Sequence, residues 1–278
     1  MRKCILPTDY SKSAQQAMEY ALHLLHQMPH PVECILVHAY TAPATVPVYG
    51  YNPPGEGMPA LKKEQQKLDD YLRRWQKRFP GLILRGRLLI GSFLTVMTNL
   101  IEEEKDVDMI LMGTKGASGV EEVLLGSNAA RAARSLSRPV FIIPSETPVK
   151  KPERVVFATD FQDLGDLRAL APIKELSRHF ITHFLTLHVL PVGKKPSPAT
   201  DTASEALKAY LENPRYSLHY LENDDTVAAI DGFLKKYQAD CLVLFARERG
   251  FLASIFHRSV VQKMVFHTRI PLLVLKPF

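Results

Sequence analysis

The 278-residue chain is 46% hydrophobic and 23% charged and has a formal net charge of +6, the composition of a soluble globular protein. It has no apolar run long enough to span a membrane and no secretory signal at its amino terminus, so a cytoplasmic location is expected. The basic residues are scattered, and no DNA- or RNA-binding motif accompanies them. We therefore expect neither nucleic acid nor a membrane as a partner.

The first half of the chain alternates apolar runs with amphipathic segments. A strand is predicted before Pro7, a helix with Ser11 as its N-cap follows, and a second strand is predicted to end at His38. The stretch 41–59 is rich in proline and glycine, which predicts a long irregular loop. Two helices carry apolar stripes at helical spacing: Ala14, Met18, Ala21, Leu22 and Leu25 in the first, and Leu61, Leu68, Tyr71, Leu72, Trp75 and Phe79 in the second.

The most informative motif comes directly after the fourth predicted strand. Gly113 and Gly116 are followed, after nine residues, by Gly126 and Ser127, and a helix-forming segment starts at Asn128. Glycine lets a backbone approach an anion closely, and the N–H groups of a helix start favour negative charge. Strand, glycine loop and helix start together predict a phosphate-binding loop, although the spacing is not that of a Walker A or Rossmann motif.

The second half repeats the first. The matched pairs are Asp9 with Asp160, His38 with His188, Asp108 with Asp240 and Pro139 with Pro271. The first two pairs are 151 and 150 residues apart and the last two 132, so the first half carries about 18 extra residues, which fit the stretch 41–59. We expect two domains, 1–146 and 152–278, joined by a proline-rich linker at 144–152.

The apolar runs predict the fold class. They are continuous rather than alternating, which is typical of parallel strands covered on both faces. With helices between them, each half is predicted to be an α/β doubly wound domain of five parallel strands in the order 3-2-1-4-5. The halves are expected to pack about a pseudo-twofold axis, with the last strands, 140–143 and 272–275, as edges that could pair. Cys4, Cys34 and Cys241 are expected to be buried free thiols.

A ligand is expected where the order of the strands reverses, at the carboxyl ends of the first and fourth strands. Asp9 follows the first of these strands and Gly113 the fourth. Asp9 has a simpler interpretation as a helix cap. Facing the glycine loop, its carboxylate would instead accept a hydrogen bond from an adenine amino group or a ribose hydroxyl. For His38 the simpler interpretation is a buried histidine with a satisfied hydrogen bond.

The spacing G-2x-G-9x-G-[ST] matches the signature of the universal stress protein family at all four defined positions, and the chain resembles a tandem member of that family. The resemblance implies that ATP, with Mg²⁺, binds in the first half. It implies roles for Asp9 at the base or ribose, for the backbone of Ala39, where the family commonly has Val, at adenine, and for the glycine loop at ribose and phosphates. The implied binding residues are Pro7, Thr8, Asp9, Ala39, Met112, Gly113, Gly116, Gly126, Ser127 and Asn128.

The second half departs from this pattern. At a constant offset, Phe245, Glu248 and Arg258 stand where the first half has its three glycines, and Ser259 alone matches Ser127. Larger side chains prevent the close backbone approach that glycine allows, and Glu248 adds negative charge. We therefore expect no ATP in this half, which would act as a built-in dimer partner or a different sensor. Three arginines, Arg247, Arg249 and Arg258, are interpreted either as solvated surface or as ligands of a carboxylate or phosphate.

Three functions remain open at this stage. The first is a regulatory or stress-protective protein whose bound nucleotide alters a surface read by an unknown protein partner. The second is a slow ATP hydrolase or nucleotidyl transferase, although no general base or metal-binding carboxylate pair is evident. The third is a nucleotide-free scaffold. Catalytic and metal-ligating residues are not assigned, and a homodimer of the chain is possible.

Overall fold

The computed structural model describes residues 2–41, 58–114, 127–161, 166–246, 260–261, 263–264 and 268–277. The first half contains strands β1 (Lys3–Pro7), β2 (Glu33–Tyr40), β3 (Ile83–Ile90), β4 (Met109–Gly113) and β5 (Val140–Ile143) and helices α1 (Lys12–His26), α2 (Met58–Arg78), α3 (Phe93–Glu103) and α4 (Ser127–Ser135). The second contains strands β6 (Arg154–Ala158), β7 (His183–Leu190), β8 (Tyr216–Glu222), β9 (Cys241–Phe245) and β10 (Leu272–Leu275) and helices α5 (Ala171–His179), α6 (Pro198–Leu211) and α7 (Thr226–Tyr237).

The described strands form one ten-stranded sheet in the order β3-β2-β1-β4-β5-β10-β9-β6-β7-β8. Each half has the predicted order 3-2-1-4-5 with parallel neighbours, which confirms the fold class. The halves join where β5 and β10 pair antiparallel, with Phe141 opposite Leu273. Because this seam is antiparallel, the carboxyl ends of the two sets of strands lie at opposite edges of the sheet.

The sheet is buried on both faces. One face packs under α1, α2, α5 and α6, around side chains such as Trp75 and Phe141. The other packs under α3, α4 and α7, around side chains such as Ile110 and Ile230. The apolar stripes predicted for α1 and α2 are core or lie against it, except for Leu61, which is only partly buried. The three cysteines are free and buried, as predicted.

In each half, one aspartate at an equivalent position accepts hydrogen bonds from the backbone at the start of the first strand. Asp108, just before β4, accepts hydrogen bonds from the backbone N–H groups of Arg2 (2.6 Å) and Lys3 (3.1 Å) at the start of β1. Asp240, just before β9, accepts hydrogen bonds from the backbone N–H groups of Glu153 (3.2 Å) and Arg154 (2.9 Å) at the start of β6. The internal repeat therefore preserves polar contacts at the amino ends of the strands as well as the apolar core.

The first helix of the second half is shorter than its counterpart. α5 has 9 residues against 15 in α1 and is preceded by a short 3₁₀ turn, Leu167–Leu170. Pro172 lies in the first turn of α5. Proline is tolerated there but interrupts a helix farther in, which explains why α5 starts late. This difference was not foreseen from the sequence.

Candidate functional site

The strand order places the predicted binding loops side by side. β1 and β4 are parallel neighbours, with Cys4 opposite Met109 and Ile5 opposite Ile110. β2 lies on the other side of β1, so the connections leaving β1 and β4 depart in opposite directions. The turn at Thr8 and the end of β4 therefore border the crevice at the switch point, the usual ligand position in open α/β sheets.

The turn after β1 is defined by side-chain hydrogen bonds to the backbone. Thr8 Oγ1 accepts from the Tyr10 N–H at 3.0 Å, and Asp9 Oδ1 accepts from the Ser11 N–H at 3.0 Å. Tyr10 has a φ of 62°, in the left-handed region. Ser11 is the N-cap of α1 and accepts from the Ala14 N–H, as predicted. Asp9 thus lies before the cap and shapes the turn.

The end of β2 lies against this turn. The Thr8 N–H donates to the Val37 carbonyl at 2.8 Å, and a ring nitrogen of His38 lies 2.8 Å from the Thr8 carbonyl. β2 continues to Tyr40, two residues past the predicted end at His38. Ala39 is half-buried and faces the side of the sheet covered by α3 and α4, opposite to His38. The turn that carries Asp9 and the strand end that carries Ala39 are therefore hydrogen-bonded to each other through Thr8.

Gly113 has a packing role that the sequence did not reveal. A Cβ at this position would lie 3.2 Å from the Ser13 carbonyl oxygen, 3.3 Å from Ser13 Oγ and 3.3 Å from Ala17 Cβ. The missing side chain therefore lets α1 pack closely on the end of β4. Besides its predicted place in the phosphate-binding loop, Gly113 therefore lies against the first turns of α1.

The remaining predicted positions are described only in part. Gly116 and Gly126 lie outside the described residues, and so does most of the loop predicted at 41–59. Ser127 is the first residue of α4, Asn128 is exposed in its first turn, and Met112 is buried at the end of β4. α4 therefore begins directly after the glycine loop, as the motif predicts.

Sequence reasoning missed a cluster of side chains behind the turn. The Tyr10 and His38 rings lie 4.6 Å apart between centroids, Tyr71 meets Tyr10 edge-on at 5.3 Å, and Lys67 Nζ lies 4.1 Å from the Tyr10 ring centroid. Glu64 approaches the second ring nitrogen of His38 at 3.8 Å. Burial raises the pKa of Tyr10, so its hydroxyl stays neutral. The aromatic residue after Thr-Asp in both halves was the available signal.

The second half repeats the turn without the glycine loop. The Thr159 N–H donates to the Leu187 carbonyl at 3.0 Å, and the Phe161 N–H donates to Thr159 Oγ1 at 3.1 Å. Phe161 has a φ of 62°, as Tyr10 does. Asp160 is buried, and Phe245 ends β9 where Gly113 ends β4. The positions of Glu248, Arg258 and Ser259 lie outside the described residues.

The described residues contain no cluster of three or more His, Cys, Asp or Glu side chains arranged to hold a metal ion. They also contain no helix long and apolar enough to span a bilayer.

Two five-stranded doubly wound units on one sheet, with a crevice at the switch point of the first, define a tandem α/β protein. The model of the universal stress protein family matches residues 1–144, so the chain belongs to that family. The chain is 27% identical over 159 residues to a universal stress protein of Methanocaldococcus jannaschii, which covers 55% of this chain and 84% of that protein. A universal stress protein of Mycolicibacterium smegmatis is 23% identical over 143 residues, 50% of this chain and 44% of that protein.

Solved structures extend the similarity to both halves. A universal stress protein from Archaeoglobus fulgidus superposes with a TM-score of 0.74 at 19% identity, covering 99% of this chain and 98% of that one. A putative universal stress protein from Pseudomonas aeruginosa gives a TM-score of 0.57 at 13% identity and covers 100% of this chain and 94% of that one. At these identities the likeness shows the tandem fold.

Proposed function

We propose that the first half of this chain binds ATP, together with Mg²⁺, in the crevice between β1 and β4, and that the nucleotide-bound state serves a regulatory role in a stress response. The observation that carries the proposal is the adjacency of two loops at the switch point: Asp9 follows β1, and Gly113 ends its direct neighbour β4. One loop offers a carboxylate and the other leads through the glycine motif to the start of α4.

The crevice has a polarity that suits a nucleotide lying across it. The Asp9 carboxylate accepts hydrogen bonds and repels phosphate, so it suits an adenine amino group or a ribose hydroxyl. Ala39 offers its backbone to the base. The glycine loop and the first turn of α4 offer backbone N–H groups to the phosphates, whose charge a helix start favours. The proposed contacts are Pro7, Thr8, Asp9, Ala39, Met112, Gly113, Gly116, Gly126, Ser127 and Asn128.

Mg²⁺ fits this proposal as a companion of the phosphates, where it would offset their negative charge. The protein's part is to orient the nucleotide. We propose that the second half binds no ATP, because Phe245 ends β9 where the first half ends β4 with a glycine. The second half then acts as the permanent partner of the first across the β5–β10 seam.

The experiment is a calorimetric titration of the full chain with Mg-ATP and, separately, with Mg-triphosphate. We expect Asp9→Ala to weaken ATP binding about tenfold or more, the loss of a hydrogen bond to a charged group, and to leave triphosphate binding nearly unchanged. The matched control is Asp160→Ala, the same substitution in the equivalent turn, which should leave both titrations unchanged. Equal losses for ATP and triphosphate would contradict the role of Asp9, and absence of ATP binding by the unaltered chain would overturn the proposed function.

A further inference from the structure

His38 makes a hydrogen bond that links the two segments proposed to hold the base. Its Nδ1 lies 2.8 Å from the Thr8 carbonyl oxygen. A carbonyl oxygen accepts but cannot donate, so Nδ1 carries the proton and donates. Thr8 also donates its own N–H to the Val37 carbonyl at 2.8 Å. The Thr8 peptide groups are therefore bonded twice to consecutive residues of β2.

The ring of His38 is held from its other sides. Glu64 Oε2, on α2, lies 3.8 Å from His38 Nε2 and 3.7 Å from Lys67 Nζ. The Tyr10 ring packs on the imidazole at 4.6 Å between centroids. The imidazole thus lies between α2 and the turn, with its Nδ1–H directed at the Thr8 carbonyl.

The second half lacks this bond. His188 occupies the equivalent place and lies 5.8 Å from the Phe161 ring between centroids. Within the described part of the chain, however, His188 Nδ1 is buried with no hydrogen-bond partner. The half that lost the glycine motif therefore also lacks the histidine bond to its own turn. This difference separates two turns whose backbones are otherwise alike.

We propose that His38 is a positioning residue of the nucleotide site. Its Nδ1–H holds the Thr8 carbonyl and so fixes the distance between Asp9, which follows Thr8, and Ala39, which follows His38. The Tyr10 ring packs on the imidazole at 4.6 Å between centroids, on the side of the turn itself. The inference rests on the proposed function of the crevice, since it assigns His38 to the same site without contact between His38 and the nucleotide.

The test replaces His38 by asparagine or by glutamine, whose side-chain nitrogens correspond to the two ring nitrogens of histidine. The side-chain nitrogen of asparagine stands at the same number of bonds from the backbone as Nδ1, and that of glutamine at the same number as Nε2. We expect His38→Gln to weaken Mg-ATP binding about fivefold to tenfold, which lies within the range for one lost hydrogen bond. His38→Asn should restore affinity to within about threefold of the unaltered chain. His188→Gln, the matched control in the second half, should change nothing.

A second readout needs no nucleotide. The N–H groups of Tyr10 and Ser11 are bonded within the turn, so we expect their hydrogen exchange in the ligand-free chain to be faster in His38→Gln than in His38→Asn. Equal affinities and equal exchange rates for these two variants would overturn the inference while leaving ATP binding by the unaltered chain intact. If the unaltered chain binds no ATP, the proposed function fails, and the exchange rates alone decide whether His38 holds the turn.

Discussion

Tyr10 and Phe161 occupy equivalent turns in the two halves, and each has a φ of 62°, in the left-handed region that non-glycine residues rarely adopt. In both, the threonine two residues earlier accepts a hydrogen bond from the backbone N–H of the aromatic residue. The two halves have thus kept one strained turn while their glycine loops diverged. Such a turn persists when the surrounding structure over-determines it, and here the ring packs against a histidine in both halves.

The hydroxyl of Tyr10 gives a first prediction. It is buried without a hydrogen-bond partner among the described residues, and an unsatisfied buried hydroxyl is destabilising. Tyr10→Phe, which copies the second half, should leave the free energy of unfolding unchanged or raise it by about 1 kcal/mol. The reverse substitution, Phe161→Tyr, should lower it. Urea denaturation followed by circular dichroism measures both changes. A clear loss of stability in Tyr10→Phe would show that the Tyr10 hydroxyl makes a stabilising hydrogen bond.

The packing of α1 on β4 gives a second prediction. Gly113→Ala should lower the free energy of unfolding by about 1–3 kcal/mol, since its Cβ would crowd the backbone of Ser13. Gly232 is the matched control: it lies inside α7, and a Cβ there would meet nothing within 4 Å. Gly232→Ala should therefore raise the free energy of unfolding by about 0.5–1 kcal/mol. Equal effects of the two substitutions in urea denaturation would refute the packing role.

The antiparallel seam gives a third prediction. Phe141 and Leu273 are fully buried and face each other in register across β5 and β10. Phe141→Ala should lower the free energy of unfolding by about 3–5 kcal/mol, and Leu273→Ala should lower it by about 2–5 kcal/mol. Because the seam joins both halves, each substitution should destabilise the whole chain in a single transition. The control is Ile83→Ala, at a side chain on β3 that is 54% exposed. This substitution should change the free energy of unfolding by no more than about 0.5 kcal/mol. Separate transitions in which only the mutated half loses stability would show that the seam does not couple the halves.

His188 gives a prediction about pH. Burial lowers the pKa of this imidazole below its ordinary value of 6.5, although Asp160 partly opposes the shift. The unfolded chain therefore binds this proton more readily than the folded chain, so stability should fall as the pH drops below 6.5. His188→Phe should lose less stability between neutral and acidic pH than the unaltered chain does. Urea denaturation across that interval is the measurement, and parallel pH profiles would contradict a buried neutral His188.

The sequence predicted most of the fold because the repeat and the apolar runs carry it. The offsets between Asp9 and Asp160 and between Asp108 and Asp240 located equivalent strands, and the continuous Val/Ile/Leu runs indicated parallel strands covered on both faces. The edge strands proposed to pair do pair, with Leu273 opposite Phe141.

The details of the site could be predicted only in part. The adjacency of the Asp9 turn and Gly113 follows from strand order, which the sequence supplied. The bond between His38 and Thr8 joins two strands' ends, and the ring that makes it lies between Tyr10 and Glu64 of α2. The packing role of Gly113 likewise depends on how closely α1 approaches β4. Tertiary contacts of this kind leave no local pattern in a single sequence.

The central claim is that ATP binds in the first half alone, and the stoichiometry of binding tests it most directly. The full chain, freed of any nucleotide retained through purification, is brought to equilibrium with labelled Mg-ATP at saturation, and bound nucleotide is counted per chain. The account predicts one ATP per chain, unaffected by Asp160→Ala. Two per chain would show that the second half binds as well, and none would show that the crevice between β1 and β4 does not hold a nucleotide.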